Sequence, residues 1–590
     1  MQNSYLTFKD FLKYTIPWRA KISWAAFCSV MNKLFDIMPE ILIGFAVDLV
    51  IKQQDSFIAS LGFKSPESQV AILATFTFFI WVFESLFQYL YAIAWRGIAQ
   101  SVEHDIRLDA YNHVQHLDLE WHETQRVGNL TAILNDDVNQ LERFLDSGAN
   151  DIIQIAVSTI AIGAVFFYIS PIIALISTLP VPLILGVTFY FQKNLSPKYI
   201  AVREAAGKIS STIFNNLSGI ITIKSFTSEG SEYLRIDEFS ESYREKNKKA
   251  ILLSSAFVPV IRVGVLSGFL ATLVIGSFMT MNNQIAVGSF SVLVFLTQRF
   301  LWPFTTLGEI VDQFERSMAS TGRILSLLKV DMSVQENENP KNINNKRSDI
   351  SFNNIDFGYS QDKLVFNNFS LKIPYGQTVG IVGQTGSGKT TLIKLLLRLY
   401  DVKKGDIFIG DQKLKDISLS SNRENIGFVN QEIHLFDGSI KENISYPNQP
   451  NDLIKIEKAA KVSQAFEFIS QLKDGFDTQI GERGQRLSVG QKQRLTIARA
   501  IYKDPPILVF DEATSSVDNE TEQLIQKALE EISKNRTTII IAHRLSTVRN
   551  ASQIIVLDKG RISESGTHKE LLKLDGFYNQ LWQIQTGEKF

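Results

Sequence analysis

The chain has 590 residues, 45% hydrophobic and 21% charged, and its 60 Lys and Arg nearly balance 61 Asp and Glu. That length exceeds one ordinary domain and suits two to four. The formal net charge of −1 gives no sign of a nucleic-acid partner, and a single cysteine, Cys28, excludes an internal disulfide framework or a cysteine-based metal site. These averages hide two different halves. Long apolar runs such as Ile72–Leu90 and Ile152–Tyr168 fill the first 320 residues, whereas the last 240 read as an ordinary α/β domain.

In chain order, residues 1–20 come first. Tyr5, Phe8, Phe11 and Leu12 alternate with Lys9, Asp10 and Lys13 before Pro17-Trp18. This amphipathic segment reads as lying along the inner membrane interface or as a cytoplasmic cap. No short apolar region with a small-residue cleavage site follows, so the first apolar stretch is read as retained.

A membrane helix needs roughly 20 predominantly apolar residues. Residues 22–51, 70–96, 148–169, 171–193, 251–281 and 287–315 meet that need, predicting a six-helix membrane domain over 21–320. Ser170-Pro171 and Asn282-Asn283 form tight links on one face. The long polar connections 97–147 and 194–250 lie on the other and carry a helical pattern. Lys198, Arg203, Lys208, Lys224, Arg235, Arg244, Lys246, Lys248 and Lys249 place that second face in the cytoplasm, as do Lys9, Lys13, Arg19 and Lys21 at the N-terminal end. The compact organisation suggests a bacterial inner or plasma membrane.

Charges inside spans are costly and so mark function or pairing. Lys33, Asp36 and Glu40 share a face of the first span, Glu84 and Gln88 lie in the second, Arg262 in the fifth, and Gln298 and Arg299 in the sixth. Two readings stand at this point. Asp36, Glu40, Glu84, Arg262 and Arg299 line a substrate cavity, or they form ion pairs that fix the bundle.

Residues 321–349 form a linker that is Asn-, Lys- and Glu-rich from Gln335 to Arg347. Strand-like runs at Ile350–Phe357, Leu364–Ile373, Thr378–Val382, Ile507–Phe510 and Thr537–Ala542 then alternate with helices, predicting an α/β domain with a mostly parallel sheet over 350–590. The run Thr378–Val382 leads into Gly383-Gln384-Thr385-Gly386-Ser387-Gly388-Lys389-Thr390, followed by Thr391 and an apolar helix. This strand–loop–helix is a phosphate-binding loop. Its backbone N–H groups and helix N-terminus face phosphate oxygens, Lys389 brings a point charge, and the Thr390 hydroxyl suits Mg²⁺. Ile507–Phe510 ends in Asp511-Glu512, two acids suited to holding Mg²⁺ and to taking a proton from attacking water.

Leu487-Ser488-Val489-Gly490-Gln491, after Gly481-Glu482-Arg483-Gly484, is similar to the signature motif of ABC transporters. The whole chain resembles their six-span exporter half-transporters. The resemblance implies ATP and Mg²⁺ as cofactors, Tyr359 stacking on adenine, Gln431 contacting Mg²⁺ and sensing the membrane part, and Asp511 as the metal-associated acid. It also implies Glu512 as general base, Ser515-Ser516-Val517-Asp518 as a dimer-contact loop, and His543 as the switch on the γ-phosphate. Turns near Tyr111–Leu117 and Ser211–Ser218 would dock on ATPase domains. Val489 departs from the glycine usual in the motif, where a β-branched side chain can restrict the backbone.

In the family this motif completes the ATP site of an opposing domain. One ATPase domain per chain therefore requires a second copy or a related half-transporter. The expectation is ATP-driven export or flipping of a lipid or small hydrophobic substrate. The six apolar runs argue against a soluble ABC ATPase, and the fused domain order against an importer. An ATP-gated channel or regulator is the remaining alternative.

Overall fold

A computed structural model describes residues 2–53, 56–360, 363–448, 452–511 and 519–586. The chain divides into two compact units, residues 1–115 with 126–330 and residues 116–125 with 331–590.

The first unit is helical. Pro66–His116, Val127–Ile169, Pro171–Ser218, Glu229–Met281 and Val287–Leu328 are long and apolar enough to cross a membrane. The 51 residues of Pro66–His116 extend about 77 Å at 1.5 Å per residue, well beyond a hydrocarbon layer of roughly 30 Å. The long polar connections are therefore mostly continuations of the spanning helices. Arg19–Lys52 is also long, at 34 residues, but Lys33, Asp36 and Glu40 interrupt its apolar run.

Buried Ile37, Ile162, Phe166, Ile184, Ile261 and Leu296 form the packed centre of the bundle. Polar ties cross it, as expected where lipid offers no competing partner. Trp95 Nε1 donates to Ser29 Oγ at 3.0 Å, Asn32 Nδ2 to the Glu84 carbonyl at 3.0 Å, and Gln154 Nε2 to the Ser29 carbonyl at 3.1 Å. A Cβ on Gly44 would come within 2.8 Å of the Gly288 carbonyl oxygen, so this small pair allows two helices to approach closely. Asp137 accepts from Arg323 Nε at 2.7 Å and Ser320 Oγ at 2.9 Å, tying the Val127–Ile169 helix to the last one.

Among the described residues the second unit contains ten strands: β1 (Ile350–Phe357), β2 (Phe366–Ile373), β3 (Thr378–Gly383), β4 (Lys404–Ile409), β5 (Gln412–Lys413), β6 (Ile426–Val429), β7 (Ile507–Asp511), β8 (Thr537–Ile541), β9 (Gln553–Asp558) and β10 (Arg561–Gly566). One sheet has the order β10-β9-β3-β8-β7-β6 and is parallel except for β10. Every residue of β7 and β8 is buried, the pattern of parallel strands covered on both faces. A separate antiparallel sheet, β2-β1-β4-β5, adds to the parallel sheet expected from the sequence. A separate core, with Ile440, Ile444, Ile456, Leu495 and Ala498, belongs to a helical subdomain around Val489–Lys503.

Two boundaries shift from expectation. The linker expected over 321–349 starts inside a helix that runs to Leu328, because Ile324 and Leu327 continue its buried stripe. The docking turn expected near Tyr111–Leu117 is the helix Leu119–Thr124, while Ser211–Ser218 lies within the helix Pro180–Ser218 of the first unit. Asp118 accepts from the backbone N–H groups of Ser333 and Val334, and Leu119 packs on the core of the second unit.

Candidate functional site

Four neighbouring parallel strands end at one edge. In register, Ile381 of β3 faces Ile541 of β8, Ile541 faces Asp511 of β7, and Phe510 faces Val429 of β6. The phosphate loop, His543, Asp511 and Gln431 follow directly from those strand ends. The topology thus gathers groups spaced over more than a hundred residues.

Gly386 has φ +83° and Gly388 φ +105°, and a Cβ on Gly388 would lie 2.9 Å from the Phe366 ring. Only glycine accepts that backbone at that distance. Helix Lys389–Leu396 starts at once. Lys389 is buried, and its Nζ donates to the carbonyls of Gly383 at 2.9 Å and Gln384 at 3.0 Å, which aims the ammonium into the loop. Tyr359, Thr385, Gly386, Gly388, Lys389, Thr390, Thr391, Gln431 and His543 line one cavity of about 570 Å³. A loop of backbone donors with a lysine at its centre fits a polyphosphate. Thr390 and Gln431 line this cavity and the fully buried Asp511 ends β7; all three carry oxygen atoms of the kind that suits Mg²⁺.

Tyr359 is 44% exposed, leaving ring surface for a base. It meets Phe357 and Tyr400 edge-to-face at 5.2 Å and 5.3 Å, and its hydroxyl lies 3.1 Å from Thr391 Oγ1.

Sequence reasoning missed the residues that hold the His543 segment. Gln585 donates from Nε2 to the His543 carbonyl at 2.6 Å and accepts from Leu545 N–H at 2.9 Å. Buried Glu522 pairs with Arg544 and accepts from Ser546 Oγ at 2.9 Å. No local pattern marks either residue, since each acts only through the fold. Missed as well was Glu123, which accepts from Lys394 Nζ at 2.7 Å and Tyr400 Oη at 2.6 Å. Burial alone would raise the Glu123 carboxyl, but those two donors outweigh it and hold it below its ordinary range. Burial, then the bond to Glu123, pushes the Tyr400 hydroxyl up.

Leu487, Ser488, Val489, Gly490 and Gln491 belong to the helical subdomain and do not line the cavity. Ser488 caps the helix Val489–Lys503: its Oγ accepts from Gln491 N–H at 3.3 Å, and Gln491 Oε1 accepts from Ser488 N–H at 2.9 Å. Together the two bonds form a capping box. The Ser488 hydroxyl proton is used in neither bond. Val489 is the first helical residue, and its side chain is 47% exposed, so the β-branched group meets no packing conflict. Glu512 and Ser515–Asp518 lie outside the described residues.

In the first unit, Arg299 Nη1 meets Asp36 Oδ1 at 2.5 Å, Arg299 Nε meets Glu40 Oε1 at 2.5 Å, and Lys33 Nζ meets Asp36 Oδ2 at 2.8 Å. Lys33 and Arg299 thus pair with Asp36 and Glu40 and join Arg19–Lys52 to Val287–Leu301, and the Glu84 carboxylate lies within electrostatic reach of Lys33, Asp36 and Arg299. The backbone of Glu84 adjoins this group through Asn32. Arg262 is exposed on Glu229–Met281 and does not join the cluster.

The family model described as ABC transporter transmembrane region matches residues 22–304, and the one described as ABC transporter matches residues 366–515. An uncharacterized ABC transporter ATP-binding protein of Bacillus subtilis, YknU, is 32% identical over 583 residues, covering 98% of this chain and 97% of its own. An ATP-dependent lipid A-core flippase of Vibrio parahaemolyticus is 31% identical over 563 residues, covering 93% and 96%. The solved structure of a bacterial Atm1-family ABC exporter with ATP bound superposes with a TM-score of 0.82 at 26% identity, covering 97% of this chain and all of that one.

Proposed function

This chain belongs to the ABC transporter family, and on that premise we propose that it exports or flips a lipid-like amphipathic molecule as a dimer with two composite ATP sites. It is a multi-pass membrane protein of exporter type whose cytoplasmic domain hydrolyses ATP to drive transport. The observation that carries the dimeric reading is the separation of Leu487–Gln491 from the cavity that gathers Tyr359, the phosphate loop, Gln431 and His543. Half of a site sits in each place, and a second copy supplies the complement.

Tyr359 stacks on the base, and the loop N–H groups with Lys389 hold the phosphates. Thr390, Gln431 and Asp511 would hold Mg²⁺, which would neutralise phosphate charge. Glu512 accepts the proton of the attacking water, and His543 orients the γ-phosphate. Ser488, Val489 and Gly490 of the opposing copy close the site through the hydroxyl and the helix N-terminus. ATP holds the two domains together and hydrolysis releases them, so nucleotide shifts the population of membrane arrangements.

The lipid A-core flippase relative supports this substrate class. The Lys33–Asp36–Glu40–Arg299 group is internally paired across two spans, so it fixes helices together. Val489 leaves the signature helix intact, which supports self-pairing over an obligatory different partner. Purified single chain in nanodiscs should hydrolyse ATP with positive cooperativity and lose that activity in Glu512→Gln. Activity appearing only after a different half-transporter is added would overturn the homodimer.

A further inference from the structure

The segment 116–125 connects two long membrane helices yet is part of the same compact unit as the ATPase domain. Its Glu123 divides its two carboxylate oxygens between two groups: Oε1 takes Lys394 Nζ at 2.7 Å, and Oε2 takes the Tyr400 hydroxyl at 2.6 Å. Both of those groups brace Tyr359. Tyr400 meets it edge-on at 5.3 Å, with an interplanar angle of 86°. Lys394 Nζ lies over the Tyr359 ring, 5.3 Å from its centroid, and 5.7 Å from that of Tyr400. Lys394 also sits one helical turn after Thr391, whose Oγ1 meets the Tyr359 hydroxyl at 3.1 Å.

We infer that Glu123 is a positioning residue for the base site: through Lys394 and Tyr400 it fixes the ring of Tyr359, so the loop between two membrane helices tunes ATP affinity. The inference rests on Tyr359 as the adenine-stacking residue. Lys394 covers one face of the ring, and Tyr359 lines the cavity. A ring held in one orientation loses less freedom when a base stacks on it. Without Glu123, the ammonium loses its counter-charge and the Tyr400 hydroxyl its acceptor, so both braces slacken together. Binding linkage is reciprocal. A base that stacks better when the brace is set must itself favour the set position of the loop, and this gives the membrane helices flanking it a direct sense of bound ATP.

The test uses the full chain in nanodiscs, with KM and kcat for ATP and the inhibition constant of inorganic tripolyphosphate, a competitor that carries no base. Glu123→Ala should raise KM for ATP about three- to tenfold, the combined effect of one partly exposed ion pair and one cation–π contact. It should leave kcat at saturating ATP within about twofold and leave tripolyphosphate inhibition unchanged. Glu123→Gln, which keeps an acceptor for Tyr400 but loses the charge, should fall between. In a Tyr359→Ala background, Glu123→Ala should add nothing. An unchanged KM in Glu123→Ala, a parallel shift in tripolyphosphate inhibition, or full additivity with Tyr359→Ala would each overturn the inference. A Tyr359→Ala chain with wild-type KM would instead overturn the role given to Tyr359.

Discussion

Glu522 offers a sharp test of how the His543 segment is held. Glu522→Ala removes the buried carboxylate that takes Arg544 and, at 2.9 Å, the Ser546 hydroxyl. Hydrogen bonds to a charged group contribute about 1.5–3 kcal/mol when desolvated. The Arg544 side chain is 38% exposed, so water replaces part of its pairing and the lower end applies, about 2 kcal/mol for both contacts together. If His543 must be ordered for each turnover, that sum sets a ceiling of about 30-fold on the loss of kcat. Gln585 still grips the His543 carbonyl and Leu545 N–H, so the expected loss is about 5- to 30-fold. KM for ATP should stay within about twofold, because neither contact touches the cavity wall. Steady-state ATPase over a range of ATP gives both numbers. Adding Gln585→Ala should deepen the loss of kcat, since the two clamps act on the same segment. Wild-type kcat in Glu522→Ala, or a rise in KM at constant kcat, would refute the clamp.

Other expectations follow from single contacts. Val489→Gly should change kcat less than about twofold, because the side chain is half-exposed at the first helical position; a tenfold gain in ATPase would show that valine restrains the signature. Arg299→Ala leaves Asp36 and Glu40 without their shared cation inside a span. It should lower the thermal midpoint by a few degrees: the Arg299 side chain is 40% exposed and Lys33 still pairs with Asp36, so the loss is about 1 kcal/mol. Restoring the wild-type midpoint by combining it with Asp36→Asn and Glu40→Gln would support pairing, and an unchanged midpoint in the single variant would refute it. Burial, then Arg549, holds the His568 imidazole below its ordinary pKa, and its Nδ1 lies 2.8 Å from the Tyr578 hydroxyl. The neutral form is favoured in the fold, so this contribution is complete above roughly pH 6.5 and is lost as pH falls through the lower folded value. Scanning fluorimetry from pH 7.5 to 5.5 should show a midpoint that falls more steeply for the wild type than for His568→Gln, and equal slopes would contradict it.

Contiguous signals were legible and long-range ones were not. The strand runs at β3, β7 and β8 and the glycine loop are local patterns, and their strand ends position Lys389, Asp511 and His543 without further information. Glu522, Gln585 and Glu123 act on residues brought close only by the fold, and each reads in sequence as an ordinary polar side chain on a helix. The first long helix was legible by its length, but Lys33, Asp36 and Glu40 dilute its apolar character because Arg299, far along the chain, supplies their partner. The same logic explains Arg262: as an isolated charge in an apolar run it resembles the others, and only the packing leaves it outside the cluster. The linker boundary moved because Ile324 and Leu327 extend a buried stripe beyond the point where composition turns polar.

Movement of a fluorescent amphipathic lipid between the leaflets of sealed vesicles tests the central claim most directly. With ATP supplied on the side of the ATPase domain, the reconstituted wild-type chain should move the lipid away from that leaflet, and Glu512→Gln should abolish the movement while still binding ATP. ATP hydrolysis at wild-type rate with no lipid movement, or movement that persists without ATP, would contradict an ATP-driven lipid exporter.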